Sequence, residues 1–150
     1  MPDLTMPGMP LSGWLEGKLH HYPMRVYYGD TDAAGIVYYA NYLEFVERAR
    51  TEMMRLIGLD HAALAKDEGV YFAVRRCEID YLASAKLDDM LDVRSKLVHI
   101  GGASLHLHQS LWRGEVCLAE LAVRLVCVRS VGGAARIPPP VAALLQEFLT

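Results

Sequence analysis

Tyr27-Tyr28-Gly29-Asp30-Thr31-Asp32-Ala33-Ala34-Gly35-Ile36-Val37-Tyr38-Tyr39-Ala40-Asn41-Tyr42 divides this chain into two kinds of pattern. Before it, from about His20 to Tyr28, residues alternate as in a strand. Met24, Val26 and Tyr28 face one way, Arg25 and Tyr27 the other. Gly29 and the Asp-Thr-Asp run break that alternation. After it, from about Tyr39 to Ile57, the period becomes helical. Tyr42, Leu43, Phe45, Val46, Ala49, Met53, Leu56 and Ile57 form a broad apolar face, with Glu44, Glu47, Arg48, Glu52 and Arg55 opposite. Asn41 followed by Glu44 fits a capping box, and Gly58 fits a stop. So broad a face predicts a helix covered on most sides.

Outward from that helix, Asp60 to Glu68 reads as a short second helix ended by Gly69, and the rest reads mainly as strand. Cys77, Ile79 and Tyr81 alternate with polar neighbours. So do Leu91, Val93 and Leu97, and then Leu105, Leu107 and Leu111 after a Gly101-Gly102 turn. Val116 to Val128 is apolar at nearly every position, as in a central strand covered on both faces. After Gly132-Gly133 and Pro138-Pro139-Pro140, Val141 to Leu149 reads as a terminal helix. Residues 1–18, rich in proline and glycine and without period, read as a flexible lead-in. Residues 19–150 then form a single domain. Antiparallel strands with one long apolar helix define an α+β fold with the helix packed on one sheet face.

Composition narrows the function classes. The 150 residues carry 15 basic and 18 acidic side chains, a net charge of −3, which gives no general electrostatic case for nucleic acid. No apolar run reaches the length of a membrane span. The first residues lack the basic start and apolar core of a secretory signal. Cys77, Cys117 and Cys127 lie in apolar runs without metal-type spacing, which predicts buried thiols in a reducing, cytoplasmic setting.

Chemistry is expected first at Asp30 and Asp32. Bare acids in a loop serve as turn formers. These two precede a glycine and a helix start, where unpaired N–H groups and about half a positive charge gather. A carbonyl oxygen placed there becomes a better electrophile, and a nearby carboxylate can attack it or activate water. Those parts suffice for ester or thioester cleavage without metal or redox cofactor. The remaining ligands of a calcium loop are missing. His106 and His108 share one strand face but have no third ligand at metal spacing. Arg75, Arg76, Arg94, Lys96 and Arg113 are either solvated sheet residues or contacts to a phosphate-bearing cofactor.

The opening stretch resembles the signature of the 4-hydroxybenzoyl-CoA thioesterase family of hotdog proteins. Arg25-Val26-Tyr27-Tyr28, Phe45-Val46-Glu47-Arg48-Ala49-Arg50-Thr51-Glu52-Met53, Val74-Arg75-Arg76, Ala85-Lys86-Leu87-Asp88-Asp89-Met90-Leu91 and Gly102-Ala103-Ser104-Leu105 extend the likeness, towards the acyl-CoA thioesterases associated with the Tol–Pal envelope system. The resemblance implies a hotdog fold, a curved antiparallel sheet wrapped around one long central helix. It implies hydrolysis of a short-chain aliphatic or aromatic acyl-CoA, with Asp32 as nucleophile or general base. The Tyr39 N–H would polarise the thioester carbonyl, and Gly35 would admit the acyl group. Asp30 would support the loop. Many relatives have histidine where this chain has Tyr39, so a backbone role remains there and an imidazole role does not. The resemblance further implies a homo-oligomer, a dimer or a tetramer built from dimers, with Ser104 and the arginines meeting CoA phosphates across the subunit seam. Tol–Pal or lipid-synthesis proteins are the expected partners. The rival class is a non-catalytic acyl-binding or scaffold protein. A carboxylate beside an acyl group argues against it, since binding alone would gain nothing from its desolvation.

Overall fold

The computed structural model describes residues 11–150. Within them lie six strands, β1 (Trp14–Glu16), β2 (Leu19–Arg25), β3 (Val70–Tyr81), β4 (Met90–Ile100), β5 (Ser104–Arg113) and β6 (Val116–Arg129). Three helices accompany them, α1 (Asn41–Leu56), α2 (His61–Glu68) and α3 (Pro139–Gln146). The strands form one antiparallel sheet in the order β1-β2-β4-β5-β6-β3.

Helix α1 is long and amphipathic, so burying one stripe against the sheet is its main source of stability. Tyr42, Phe45, Val46, Ala49, Met53 and Met54 enter one core with Leu91, Val93 and Leu97 of β4 and Leu105, Leu107 and Leu111 of β5. A polar knot fixes the helix within that core. Gln109 of β5 donates from Nε2 to the Val46 carbonyl at 3.0 Å and to Ser95 Oγ at 2.8 Å, and its Oε1 accepts from Arg50 at 2.9 Å. Buried polar groups are tolerated when paired in this way. The helix is covered on fewer sides than its composition predicts, since Leu43 and Leu56 stay exposed.

Helix α2 matches the sequence reading. Asp60 caps it, its Oδ1 accepting from the N–H groups of Ala62 and Ala63 at 2.8 and 3.1 Å. Gly69 ends it with φ 67°, a left-handed conformation in which a Cβ would be strained.

Three expectations are corrected. The lead-in covers residues 1–10, which lie outside the described residues, but also Trp14–Glu16, which form β1. Its indole stacks on the His21 ring, centroids 5.3 Å apart, and the Ser12 carbonyl bonds the buried His20 ring at 2.7 Å. Gly13 allows this approach, because a Cβ there would stand 1.9 Å from the His21 carbonyl oxygen. The strand expected to run to Tyr28 ends at Arg25. Val26 leaves the ladder to exchange hydrogen bonds with Asp88 and Asp89, and Tyr28–Asp30 coil into a 3-10 turn. Finally, β6 is covered on one face only. Leu121, Val123, Leu125 and Cys127 are buried, whereas Glu120 and Ala122 are open and Arg124 is half-buried. Apolar residues at 122, 126 and 128 hid this alternation.

Candidate active site

The loop from Gly29 to Ala40 hangs on the segment that follows β3. Val37 is the plug: its buried side chain enters the core, and its N–H donates to the Ala85 carbonyl at 2.9 Å. The Ala85 N–H in turn donates to Tyr42 Oη at 2.9 Å, so the first turn of α1 is tied to the same segment. The Tyr81 hydroxyl donates to the Tyr39 carbonyl at 2.9 Å. Its ring lies edge-on to Tyr39 and Tyr42, with centroids 6.4 and 5.3 Å away. Burial, then the neighbouring Tyr39 and Tyr42, raise the Tyr81 phenol above the ordinary tyrosine value, which keeps it a donor.

The two aspartates do different work. Asp30 is occupied: one oxygen accepts from the Tyr27 N–H at 2.9 Å and the other from the Asn41 amide at 2.8 Å. Its carbonyl accepts from the Tyr38 N–H at 3.0 Å. Asp32 lies on the exposed side of the loop. Its Oδ1 accepts from the Ala34 N–H at 2.8 Å, a local turn bond. Its backbone closes the turn through Gly35 N–H to Asp32 O and Asp32 N–H to Ile36 O. Asp32 lines a cavity of about 350 Å³ together with Ile36, Val37, Tyr39, Tyr42 and Tyr81.

The start of α1 opens on the same place. The predicted capping box does not form. Ala40 is the cap residue, in a right-handed helical conformation with no side-chain cap, and Asn41 spends its amide on Asp30. Donating its amide N–H to a carboxylate is a strong bond, and it turns the Asn41 side chain away from the helix's own N–H groups, which its amide oxygen would otherwise cap. Among the described residues, no acceptor meets the N–H groups of Tyr39 and Ala40. Tyr39, which carries one of these unpaired donors, shares its cavity with Asp32, at the positive end of the helix.

Of the residues expected at the site, Asp32 and Tyr39 line one cavity and Gly35 shapes the turn beside it. Gly35 adopts φ 79°, and a Cβ there would meet nothing within 4 Å, so the turn rather than crowding requires glycine. Ser104 is elsewhere. It pairs with Val126 on β6, whereas Tyr81 pairs with Ala119, seven residues along the strand and about 23 Å at a strand's rise. Sequence reasoning did not find Tyr81 or the 82–84 segment. The only local sign was an aromatic ending an alternating strand.

A sheet embracing one long helix, with an acid and an open helix start at its rim, defines a hotdog domain of the thioesterase type. The chain belongs to the thioesterase-like superfamily, whose family model matches residues 26–145. It is 42% identical to the acyl-CoA thioesterase YbgC of Haemophilus influenzae over 71% of this chain and 79% of that protein. It is 45% identical to the acyl-CoA thioester hydrolase YbgC of Escherichia coli O6:H1 over 73% and 82%. The crystal structure of a probable thioesterase from Bartonella henselae superposes with a TM-score of 0.77 at 35% identity, covering 80% of this chain and 99% of that one.

Proposed function

We propose that this protein is an acyl-CoA thioesterase, converting acyl-CoA and water to a free acid and CoA. The observation that carries this reading is the shared cavity of an exposed carboxylate, Asp32, and an uncapped helix start. The thioester oxygen takes its place against the Tyr39 N–H. Negative charge develops there as the carbonyl is attacked, and a well-placed donor contributes about 3–4 kcal/mol at that moment. Asp32 either removes a proton from the attacking water or attacks directly. In the direct route a mixed anhydride forms, the CoA thiolate leaves and takes a proton, and water then releases the acid. The tyrosine walls suit a short aliphatic or an aromatic acyl group.

The functional unit in this reading is residues 19–150 as one hotdog domain, paired with a second copy. Ser104, remote from Asp32 in its own chain, then meets CoA across the seam. A dimer or a tetramer built from dimers, a cytoplasmic setting, and Tol–Pal or lipid-synthesis partners complete the proposal. The assembly and partners are what the family resemblance suggests, and three cysteines that remain free thiols suit a reducing compartment. The test is CoA release from short, long and aromatic acyl-CoAs by the wild type and by Asp32→Asn. The substitution should lower the rate about 10²–10⁴-fold with an unchanged melting temperature. A wild type inert on every acyl-CoA, or an Asp32→Asn variant equal to it, overturns the reading.

A further inference from the structure

On the outer face of the sheet, away from α1, the register aligns basic side chains. Arg76 of β3 stands opposite Arg124 of β6, Arg124 opposite His106 of β5, and His106 opposite His99 of β4. Four basic groups therefore lie in one row across four strands. Directly opposed residues have Cβ atoms about 4.5–5.5 Å apart, and like charges so placed destabilise a sheet. In the next row come Glu78, Ala122, His108 and Lys96. Ala122 is the small member, and above it opens a groove of about 560 Å³. The single carboxylate lining that groove, Glu78, is engaged by Arg76, which leaves Arg124 and Lys96 without a counter-charge from the lining. The field is felt at His106, whose pKa falls below the usual histidine value through burial first and then through Arg124 and His99.

We propose that this groove binds a phosphate-bearing anion between Arg76, Arg124 and Lys96. Guanidinium groups match phosphate oxygens in a two-pronged geometry, and a lysine adds a point charge. An anion here would relieve the repulsion between the opposed Arg76 and Arg124, and the volume suits a small organic phosphate. The phosphate could belong to CoA itself or to a separate phosphorylated ligand.

Calorimetric titration of the whole protein with pyrophosphate tests the site independently of the catalytic reading. The wild type should bind saturably, and Arg124→Gln should weaken binding at least about tenfold, the loss expected of a charge-assisted pair. Ala122→Leu keeps every charge and fills the hollow, and should weaken binding comparably. The KM for acyl-CoA then names the source. A KM that rises in both variants assigns the groove to the phosphates of CoA, and an unchanged KM assigns it to a separate ligand. No saturable binding to the wild type, or binding that both folded variants retain, overturns the proposal.

Discussion

The helices α1 and α2 begin in opposite ways. At α2 the chain closes the helix: Asp60 accepts from two of its first N–H groups and pairs with Arg55 at 3.0 Å. At α1 no side chain caps the helix, and the residue best suited to do so, Asn41, is turned away to Asp30. Both starts are built from the same local vocabulary of Asp, Asn and small residues. The difference lies in what each must do. A capped start contributes stability, typically ~1 kcal/mol per cap. An uncapped start forgoes it and leaves donors free, which the proposed reaction uses. The cost at α1 is offset by bonds that hold the loop without touching the donors: Tyr81 on Tyr39, Ala85 on Tyr42, and Asp30 on Tyr27 and Asn41.

The strongest way to break this contrast is to give α1 the acid that α2 has. Ala40→Asp places a carboxylate at the positive end of the helix, which should stabilise the fold by up to about 1 kcal/mol. The same charge would oppose the oxyanion, and kcat/KM for acyl-CoA should fall by about 10²-fold, the lower end of the loss seen when an oxyanion donor is removed. Melting temperature and steady-state kinetics on one preparation check both signs. An active Ala40→Asp variant would mean that charge does not develop at this helix start.

A smaller effect should follow from Tyr81→Phe, which keeps the ring and removes one donor. The hydrogen bond holds the Tyr39 carbonyl, and through the backbone of that residue it steadies the Tyr39 N–H on the other side of the Cα. Losing a neutral bond of about 0.5–1.5 kcal/mol should lower kcat by roughly threefold to tenfold. KM should hardly move, because the packing against Tyr39 and Tyr42 remains. A change in KM alone would make Tyr81 a wall of the pocket and nothing more.

Much of this contrast was legible in the sequence, and its failures are local. Periodicity places α1, α2 and the four long antiparallel strands, because each buries a stripe that repeats at its own period. The pair of acids before a glycine and a helix start marks the candidate site for the same reason that acids avoid cores. What each acid does was not legible from spacing alone. Asp30 is committed to Asn41 only because Val37 plugs the loop onto Ala85, far along the chain, and that folding back has no local signature. Asn41 read as a cap since its preference for that position is real, but donating its amide N–H to Asp30 turns the side chain away from the helix start. Trp14–Glu16 gave too short an alternation to register as a strand. The basic row on the outer face was masked because its members come from four strands and meet only through register.

The remaining prediction concerns the capped helix, where the effect should be smallest and confined to stability. The Ala63 and Ala62 N–H groups, aided by Arg55, hold the Asp60 carboxyl below the ordinary aspartate value of 3.8. The charged form is therefore favoured in the folded state. Its stabilisation is fully present above that ordinary value and is lost as pH falls from it towards the lower folded value. Asp60→Asn separates cap from charge. Asparagine accepts the same N–H bonds, so unfolding at neutral pH should stay near wild type while the acid limb of the stability curve flattens. Asp60→Ala should lower stability at every pH above that limb, having neither. Urea titrations of the three proteins across the acid range would resolve this. Neither substitution should alter kcat, because the donors at α2 are already spent. If Asp60→Asn slowed hydrolysis, the start of α2 would not be the closed end that its hydrogen bonds describe, and the division of labour between the two helices would fail.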